Sequence, residues 1–489
     1  MDPLYELVNG LSSKEMNTVK SYLSFFSGSQ NADETLIVKL FNFFLSQKLP
    51  PSTAEVSSFI YGTAESKEEH VKKLRYRLKL KILDALSSEL NDEREDMDEV
   101  DYAAFRVKKK SIQARILFFS NPKLEIAREL LDEIIAECKK FEFYGVLVEH
   151  LEGKRWRYTF KEGEKEYEKN INECNYFKKC ANALTEANDY YYKIIFRVEK
   201  NNKDDKQLKS FLLKAITALR ISSEETKSNM IKYYLKFFEI YYFMMEKNYT
   251  KAKKVCSELI DVILSSPAVQ RKQRLGIAYD YFSRCELLLR DFDKAVEHTK
   301  KAQENFIPSS FNYSLSQEQE YYALFFNKKY AEAERVLMMI LGGTSRKEMG
   351  ELRYAKYNWL HANVLFRQKK FKEALNILKQ KWETAKEKES REVEMRLLTL
   401  MAHLELGQKE EAKLITESLR KFVQRNKAKT TPRHELILKL LLQAARKDFV
   451  FDEKAKPLVV QLASDSKYKW EFLSPELIPF HEWLSERIK

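Results

Sequence analysis

The seven histidines are the side chains with the widest catalytic use, and their spacing supports no catalytic site. None belongs to an HExxH motif, and no two stand four residues apart, as two metal ligands on one helix face would. The sequence contains no glycine-rich phosphate-binding loop. Such a loop needs a flanking strand and helix, and the fragments Gly153-Lys154 and Gly342-Gly343-Thr344 lack them. We therefore expect no catalytic residue, no cofactor and no metal, and we predict that the chain is not an enzyme.

The cysteines show no metal or redox pattern either. Their number is odd, no CxxC pair occurs, and each lies beside apolar residues within a helical pattern. Buried, reduced thiols are the expected outcome. The five residues are Cys138, Cys174, Cys180, Cys256 and Cys285.

Composition favours an all-α chain that does not enter a membrane. Only 11 Gly and 10 Pro occur in 489 residues, so the turn-forming residues typical of β-rich folds are scarce. Charged residues interrupt every apolar run before the roughly 18 residues that a membrane span requires. The first residues are acidic and do not resemble a signal peptide, so we expect a cytoplasmic protein without a membrane partner.

Residues 1–100 are predicted to form a small helical N-terminal domain. Three Ser-x-x-Glu patterns have the form of a capping box, in which a hydroxyl and a carboxylate satisfy free amides at a helix start. The acidic stretch from Asn91 to Asp101 has almost no apolar content and predicts a linker. The three capping boxes begin at Ser12, Ser52 and Ser66.

A repeated pattern begins beyond residue 100, in which an aromatic residue is followed three positions later by alanine. The last five alanines are 43, 38, 41 and 38 residues apart, which is typical of stacked helical hairpins. Each pair is predicted to open the second helix of a hairpin, after a short polar turn. The pairs are Tyr249/Ala252, Phe292/Ala295, Tyr330/Ala333, Phe371/Ala374 and the weaker Lys409/Ala412, with an outlier at Leu124/Ala127.

These segments resemble the tetratricopeptide-repeat family over about Tyr233 to Phe422, for example in YFSRCELLLRDFDKAVEHTKKA and LHANVLFRQKKFKEALNIL. The resemblance implies a right-handed superhelical solenoid of hairpins. It also implies a concave groove that binds a peptide or protein. The family's usual proline after the second helix is absent, so the binding residues of other members are not carried over.

The remaining segments complete the predicted domain organisation. Residues 101–225 are expected to hold divergent hairpins, including one long helix between Glu162 and Lys200, and residues 226–425 hold the tetratricopeptide-like repeats. Residues 426–489 are predicted to form a C-terminal helical cap. In it an amphipathic helix starts at Ser474-Pro475-Glu476, and Trp470 and Trp483 seal the last hairpin.

The register of the alanines predicts which side chains of the first helices face the groove. Aromatic and arginine side chains are enriched at binding hot spots, because they bury large areas and make directed polar contacts. Packing between hairpins is the alternative for each of these residues. The predicted partner-binding groove consists of Tyr234, Phe238, Tyr241, Tyr281, Arg284, Tyr322, Trp359, Asn363 and Arg367.

Three functions remain open at the level of sequence. The first is a non-enzymatic scaffold that binds a peptide or protein in the groove. The second is a ligand- or peptide-responsive regulator whose N-terminal domain is the output. The third is nucleic-acid binding by the basic repeats, since residues 201–400 carry 37 Lys and Arg against 26 Asp and Glu, whereas residues 1–100 carry 12 against 17.

Overall fold

The computed structural model describes residues 2–27, 32–62, 68–88, 97–120, 125–156, 162–199, 205–308, 310–343, 346–379, 385–427, 430–451 and 453–488. Within these ranges every regular element is a helix, so the predicted all-α class is confirmed. None of the described helices combines the length and the apolar character needed to cross a membrane. The chain divides into two compact units, Met1–Lys178 and Lys179–Lys489.

Unit 1 contains short helices followed by a hairpin region. The helices are α1 (Pro3–Asn9), α2 (Ser13–Ser27), α3 (Ala32–Ser46), α4 (Thr53–Tyr61), α5 (Glu68–Ser88), α6 (Glu99–Ser120), α7 (Glu125–Lys140) and α8 (Tyr144–Lys154). The next helix, α9 (Glu164–Glu199), is the long helix expected from the sequence, and the division between the units falls within it. The predicted domain boundary near residue 100 lies at the start of α6, inside unit 1, and stays a prediction.

Two of the predicted capping boxes close the starts of α2 and α4. The Ser52 hydroxyl accepts from the Glu55 amide, and the Glu55 carboxylate accepts from the Ser52 amide at 2.7 Å. The same reciprocal pair joins Ser12 and Glu15. The Ser66 box, residue Leu124 of the outlier pair and most of the acidic stretch lie outside the described residues.

Unit 2 continues with consecutive helices that pack on one another in chain order. They are α10 (Asp205–Thr226), α11 (Asn229–Met245), α12 (Tyr249–Ser265), α13 (Lys272–Leu288), α14 (Phe292–Glu304), α15 (Phe311–Phe326), α16 (Tyr330–Gly343), α17 (Arg346–Met349), α18 (Glu351–Arg367), α19 (Phe371–Leu378), α20 (Ala385–Glu405), α21 (Lys409–Arg425), α22 (Pro432–Ala445), α23 (Lys456–Ser464) and α24 (Phe480–Ser485), with a 3-10 turn at Glu453–Ala455 before α23.

The second helices of the hairpins begin where the repeat pattern predicts. Helices α12, α14, α16, α19 and α21 start at the first residue of each predicted pair. The alanine three positions later is fully buried in every case, where a longer side chain would hold the two helices apart. First helices of successive hairpins also touch, as α13 does with α15 and α18 does with α20. Unit 2 therefore contains the stacked hairpins of a helical solenoid.

The cysteines are buried and unbridged, as predicted. Burial raises the pKa of the Cys138 thiol to about 12, so this group stays protonated at neutral pH. An inert thiol is the expected consequence.

The predicted helix from Ser474 is wrong. Residues 474–479 are irregular, and the final helix begins only at Phe480. A helix opened by Pro475 would place Pro479 in its interior, where proline has no amide to donate and its ring clashes with the preceding turn. The Glu476 carboxylate instead accepts the Phe480 amide at 2.7 Å and caps the shorter helix.

Candidate functional site

A cavity of about 510 Å³ opens in unit 2 between the first helices of three successive hairpins. This volume lies within the usual range of ligand-binding pockets. Most of the wall is aromatic or aliphatic, with a small polar group on α13 and α15. The lining residues are Tyr241, Met244, Met245, Tyr249, Asp280, Tyr281, Arg284, Leu287, Leu288, Leu315, Glu318, Gln319, Tyr322 and Leu473.

The polar part of the wall holds two carboxyl groups and a guanidinium. The Gln319 amide donates to Asp280 Oδ1 at 2.6 Å. Burial raises the pKa of the Asp280 carboxyl to about 6, although nearby Arg284 and the Gln319 hydrogen bond act in the opposite direction. Glu318 is neutralised by an ion pair with Lys356, whereas the Arg284 side chain is exposed at the cavity.

Two tyrosines of the cavity, Tyr281 and Tyr322, are neutral hydrogen-bonding groups on an apolar body. Burial raises the pKa of Tyr281 and of Tyr322 above the ordinary phenol value. The Tyr281 ring meets Phe237 edge-on with centroids 5.7 Å apart, which fixes its orientation. Such rings offer large contact areas at a low cost in conformational entropy.

Four of the sequence-predicted groove residues meet at this cavity: Tyr241, Tyr281, Arg284 and Tyr322. Two others lie in the core of unit 2 beside it. Phe238 is 0% exposed, and the buried Tyr234 donates its hydroxyl to Asn188 Oδ1 at 2.6 Å, which ties α11 to α9. In this structure these two residues position α11 and present no free surface.

The C-terminal segment of the chain covers two of the last three predicted groove residues and contacts the third. Trp359 and Asn363 are 3% and 1% exposed and face Glu476, Leu477 and Phe480. The space left between them is about 10 Å³, at the lower limit for one water molecule. Arg367 approaches Glu482 of the same segment at 3.9 Å.

Arg433, at the start of α22, holds both ends of the loop that leads into these covering residues. Its guanidinium donates to the Tyr468 carbonyl at 2.7 Å and to the two Glu476 carboxylate oxygens at 2.6 and 2.8 Å. It also donates to the Leu462 carbonyl at 2.8 Å. Residues 469–475 thus form a loop, here called the clamped loop, whose base is fixed by one side chain.

The tip of the clamped loop reaches the margin of the cavity. The Phe472 ring packs on Phe326 with centroids 4.6 Å apart, and the Arg290 guanidinium lies 5.2 Å from the centre of the same ring. Leu473 lines the cavity and has a φ of 63°, a left-handed conformation that costs a branched side chain energy. The surrounding contacts of Phe472 hold this conformation in place.

Sequence reasoning did not identify Asp280, Leu473 or the Arg433–Glu476 pair. Asp280 directly precedes Tyr281, so a prediction that also included the sequence neighbours of the groove residues on α13 would have contained it. No local pattern links Arg433 to Glu476, which stand 43 residues apart.

Comparisons with known proteins give no assignment by sequence. No family model matches the chain, and no curated protein matches it. One similar solved structure is a signal transduction ATPase with numerous domains, with a tetratricopeptide-repeat sensor, from Pyrococcus horikoshii. It is 12% identical over 93% of this chain with a TM-score of 0.28, and the chain spans 64% of its length.

The class of the protein therefore rests on the hairpin geometry. The buried alanines, the starts of the second helices and the packing of successive hairpins define unit 2 as a stack of divergent tetratricopeptide-like hairpins. The first helices of this stack supply most of the residues that line the cavity.

Proposed function

We propose that the chain is a non-enzymatic interaction scaffold that binds a peptide or protein partner at the cavity between α11, α13 and α15. In this proposal the partner inserts a large apolar side chain among Tyr241, Tyr281 and Tyr322. Arg284 contacts a carbonyl or carboxylate of the partner. The proposal keeps the cytoplasmic location expected from the sequence.

The observation that carries the proposal is that the neighbouring first helices already hold a peptide segment that is irregular up to Pro479 and enters α24 at Phe480. Leu477, Ile478 and Phe480 of the chain's own C-terminus pack on side chains of α18 and α20, and each is nearly fully buried. The surface formed by α11, α13 and α15 is of the same kind, but its cavity is open. Because a peptide segment already fills the surface on α18 and α20, we expect a segment of a partner to fill the open cavity on α11, α13 and α15.

The composition of the wall fits a hot spot for a partner side chain. Aromatic rings and arginine dominate such sites, and apolar floors with a few polar groups fix orientation. The mixed charge of Asp280 and Arg284 favours directed contacts over general attraction to polyanions. Binding is therefore expected to weaken only moderately with salt, unlike binding to nucleic acid.

The test is affinity capture from a native extract with nuclease treatment, followed by direct measurement of Kd with the purified partner. Arg284→Glu is compared with Arg335→Glu, a matched exposed arginine on α16 that does not line the cavity. We expect the partner to survive nuclease and to bind Arg284→Glu at least about tenfold more weakly than Arg335→Glu.

Two outcomes would contradict the proposal. Loss of every captured protein after nuclease treatment would favour the basic-surface hypothesis. Equal binding by the two charge-reversed variants would place the partner elsewhere on the chain.

A further inference from the structure

A second cavity, of about 540 Å³, lies between α22 and α23 near the C-terminus. Its floor is apolar and recessed, since Leu440 is 2% and Phe451 7% exposed. Ala455, Pro457 and Leu458, at the N-terminal end of α23, form the opposite wall, and no side chain among the described residues caps that helix end. Neither the predicted groove nor the proposed function uses this cavity.

The charges around this cavity have a single sign among the described residues. Lys439, Arg446 and Lys447 line it together with Gln443, and no described Asp or Glu does so. Lys439, Gln443 and Arg446 follow one face of the α22 end at i, i+4 and i+7, a ridge about 10 Å long at 1.5 Å per residue.

The nearby described carboxylates are already neutralised by lysines outside the lining. Asp448 pairs with Lys413 at 2.8 Å, and Glu453 pairs with Lys456 at 2.5 Å. Among the described residues no carboxylate pairs with Lys439 or Arg446, so these two cations are left for an external anion. The N-terminal end of α23 adds the positive end of a helix dipole on the facing wall.

We propose that this second cavity binds an acidic peptide segment that inserts leucine or aromatic side chains while its carboxylates pair with Lys439 and Arg446. The recessed floor needs inserted apolar side chains, and the ridge needs negative charges about 10 Å apart. A peptide in the polyproline II conformation meets that spacing with carboxylates three residues apart, which lie on one face at about 3.1 Å per residue. Electrostatic complementarity of this kind sets specificity and the association rate.

A membrane surface fits the same charge but not the shape. Interfacial binding buries protruding apolar side chains in the headgroup region, whereas Leu440 and Phe451 of this cavity are nearly fully buried and only Val450 of its large apolar side chains is exposed. An anionic lipid surface is therefore the competing occupant that the experiment must separate from a peptide.

The experiment selects random displayed peptides of about twelve residues on the immobilised full chain, after depletion on the Lys439→Glu/Arg446→Glu variant. Both residues are exposed, so their reversal leaves the core intact. The matched control is Lys421→Glu/Arg425→Glu on α21, which also reverses two exposed charges but does not touch the lining. Depletion removes peptides that bind the first cavity, so this test is independent of the proposed function.

We expect the recovered peptides to carry Asp or Glu beside Leu, Phe or Trp. A synthetic copy should bind wild type and the α21 control equally. It should bind Lys439→Glu/Arg446→Glu at least about tenfold more weakly, and the neutral Lys439→Gln/Arg446→Gln variant between the two. No enrichment, recovery of peptides without acidic residues, or equal weakening of the control would overturn the proposal. Sedimentation with phosphatidylserine vesicles that depends on Lys439 and Arg446, without peptide enrichment, would assign the patch to lipid and overturn it as well.

Discussion

The corners of five described hairpins in unit 2 each depend on one residue in the left-handed backbone conformation. The second residue after the end of each first helix has a φ between 55° and 73°, and the next amide donates to a carbonyl five residues earlier at 2.9 Å. This is the Schellman arrangement, which satisfies carbonyls that the helix end leaves free. The corner residues are Lys247, Arg290, Lys328, Lys369 and Gly407.

Replacement of the glycine at one corner tests the cost of this conformation. Gly407→Ala should destabilise unit 2 by about 1–2 kcal/mol, because a Cβ at Gly407 meets no atom within 4 Å and only the left-handed φ of 73° resists it. Gly342→Ala, near the end of α16 with equally open space, should instead stabilise by about 0.5–1 kcal/mol. Urea unfolding of both variants measures the two signs, and a shift of the same sign in both would refute the explanation.

Asp280 gives the cavity a pH dependence. Its folded-state pKa of about 6 exceeds the usual unfolded value of about 3.9, so the folded state holds this proton more tightly. The stability that the protonated Asp280 carboxyl contributes to the folded state is fully present below about pH 4. It is lost as the pH rises through about 6. Asp280→Asn should remove that loss, so the variant should gain stability relative to wild type between pH 4 and 7.

Urea unfolding across this pH range checks the Asp280 prediction, with Asp261→Asn as an exposed control on α12. The control should follow the wild-type profile. A constant difference between Asp280→Asn and wild type at all pH values would show that the carboxyl group does not titrate as described.

At the scale of helices, close approach within a hairpin requires small residues at defined positions. The buried alanines provide this in the second helices, and Gly276 provides it in α13. A Cβ built on Gly276 would lie 2.6 Å from the Phe306 ring, which follows α14 and is itself buried.

Gly276→Ala should therefore destabilise unit 2 by about 1–3 kcal/mol through overpacking. Phe306→Leu shortens the opposing side chain, so the double variant should lose less stability than the sum of the two single variants. Thermal or urea unfolding of all four proteins measures this coupling. Strict additivity would mean that the clash is relieved elsewhere.

At the scale of the whole chain, the C-terminal segment of unit 2 decides which part of the predicted groove is open. The segment from Tyr468 to Phe480 folds back onto first helices that precede it by about a hundred residues, and Trp483 donates to Glu405 at 2.6 Å. The predicted role of Trp470 and Trp483 in sealing the last hairpin is met by Trp483, whereas Trp470 packs near Phe326 with centroids 6.4 Å apart.

Removal of the clamp should release this segment. Arg433→Met leaves the buried Glu476 carboxylate without its ion pair and should cost about 3–5 kcal/mol, with faster amide exchange across residues 469–480. Addition of Glu476→Leu removes the stranded charge and should recover part of the loss. Exchange measured by mass spectrometry, with Arg335→Met as control, checks this, and unchanged exchange in 469–480 would contradict the clamp.

Sequence patterns predicted elements well where local chemistry decides them. The serine boxes at Ser12 and Ser52, the starts of the second helices at Tyr249 and Phe292, and the buried alanines follow from interactions within a few residues. The groove was predicted less completely. Register identifies the face on which Trp359 and Asn363 lie, but it does not reveal what covers that face.

The sequence by itself determined the helical class, the hairpin spacing and the corners, because capping, turn chemistry and helix periodicity act over a few residues. The tertiary structure alone decided that Tyr241, Tyr281, Arg284 and Tyr322 share an open cavity while Trp359 and Asn363 are covered. It did so through the contact of Arg433 with Glu476, 43 residues away. A buried ion pair between residues far apart in the chain leaves no local pattern in the sequence. Arg433 and Glu476 stabilise the C-terminal segment only after folding has brought the two side chains together.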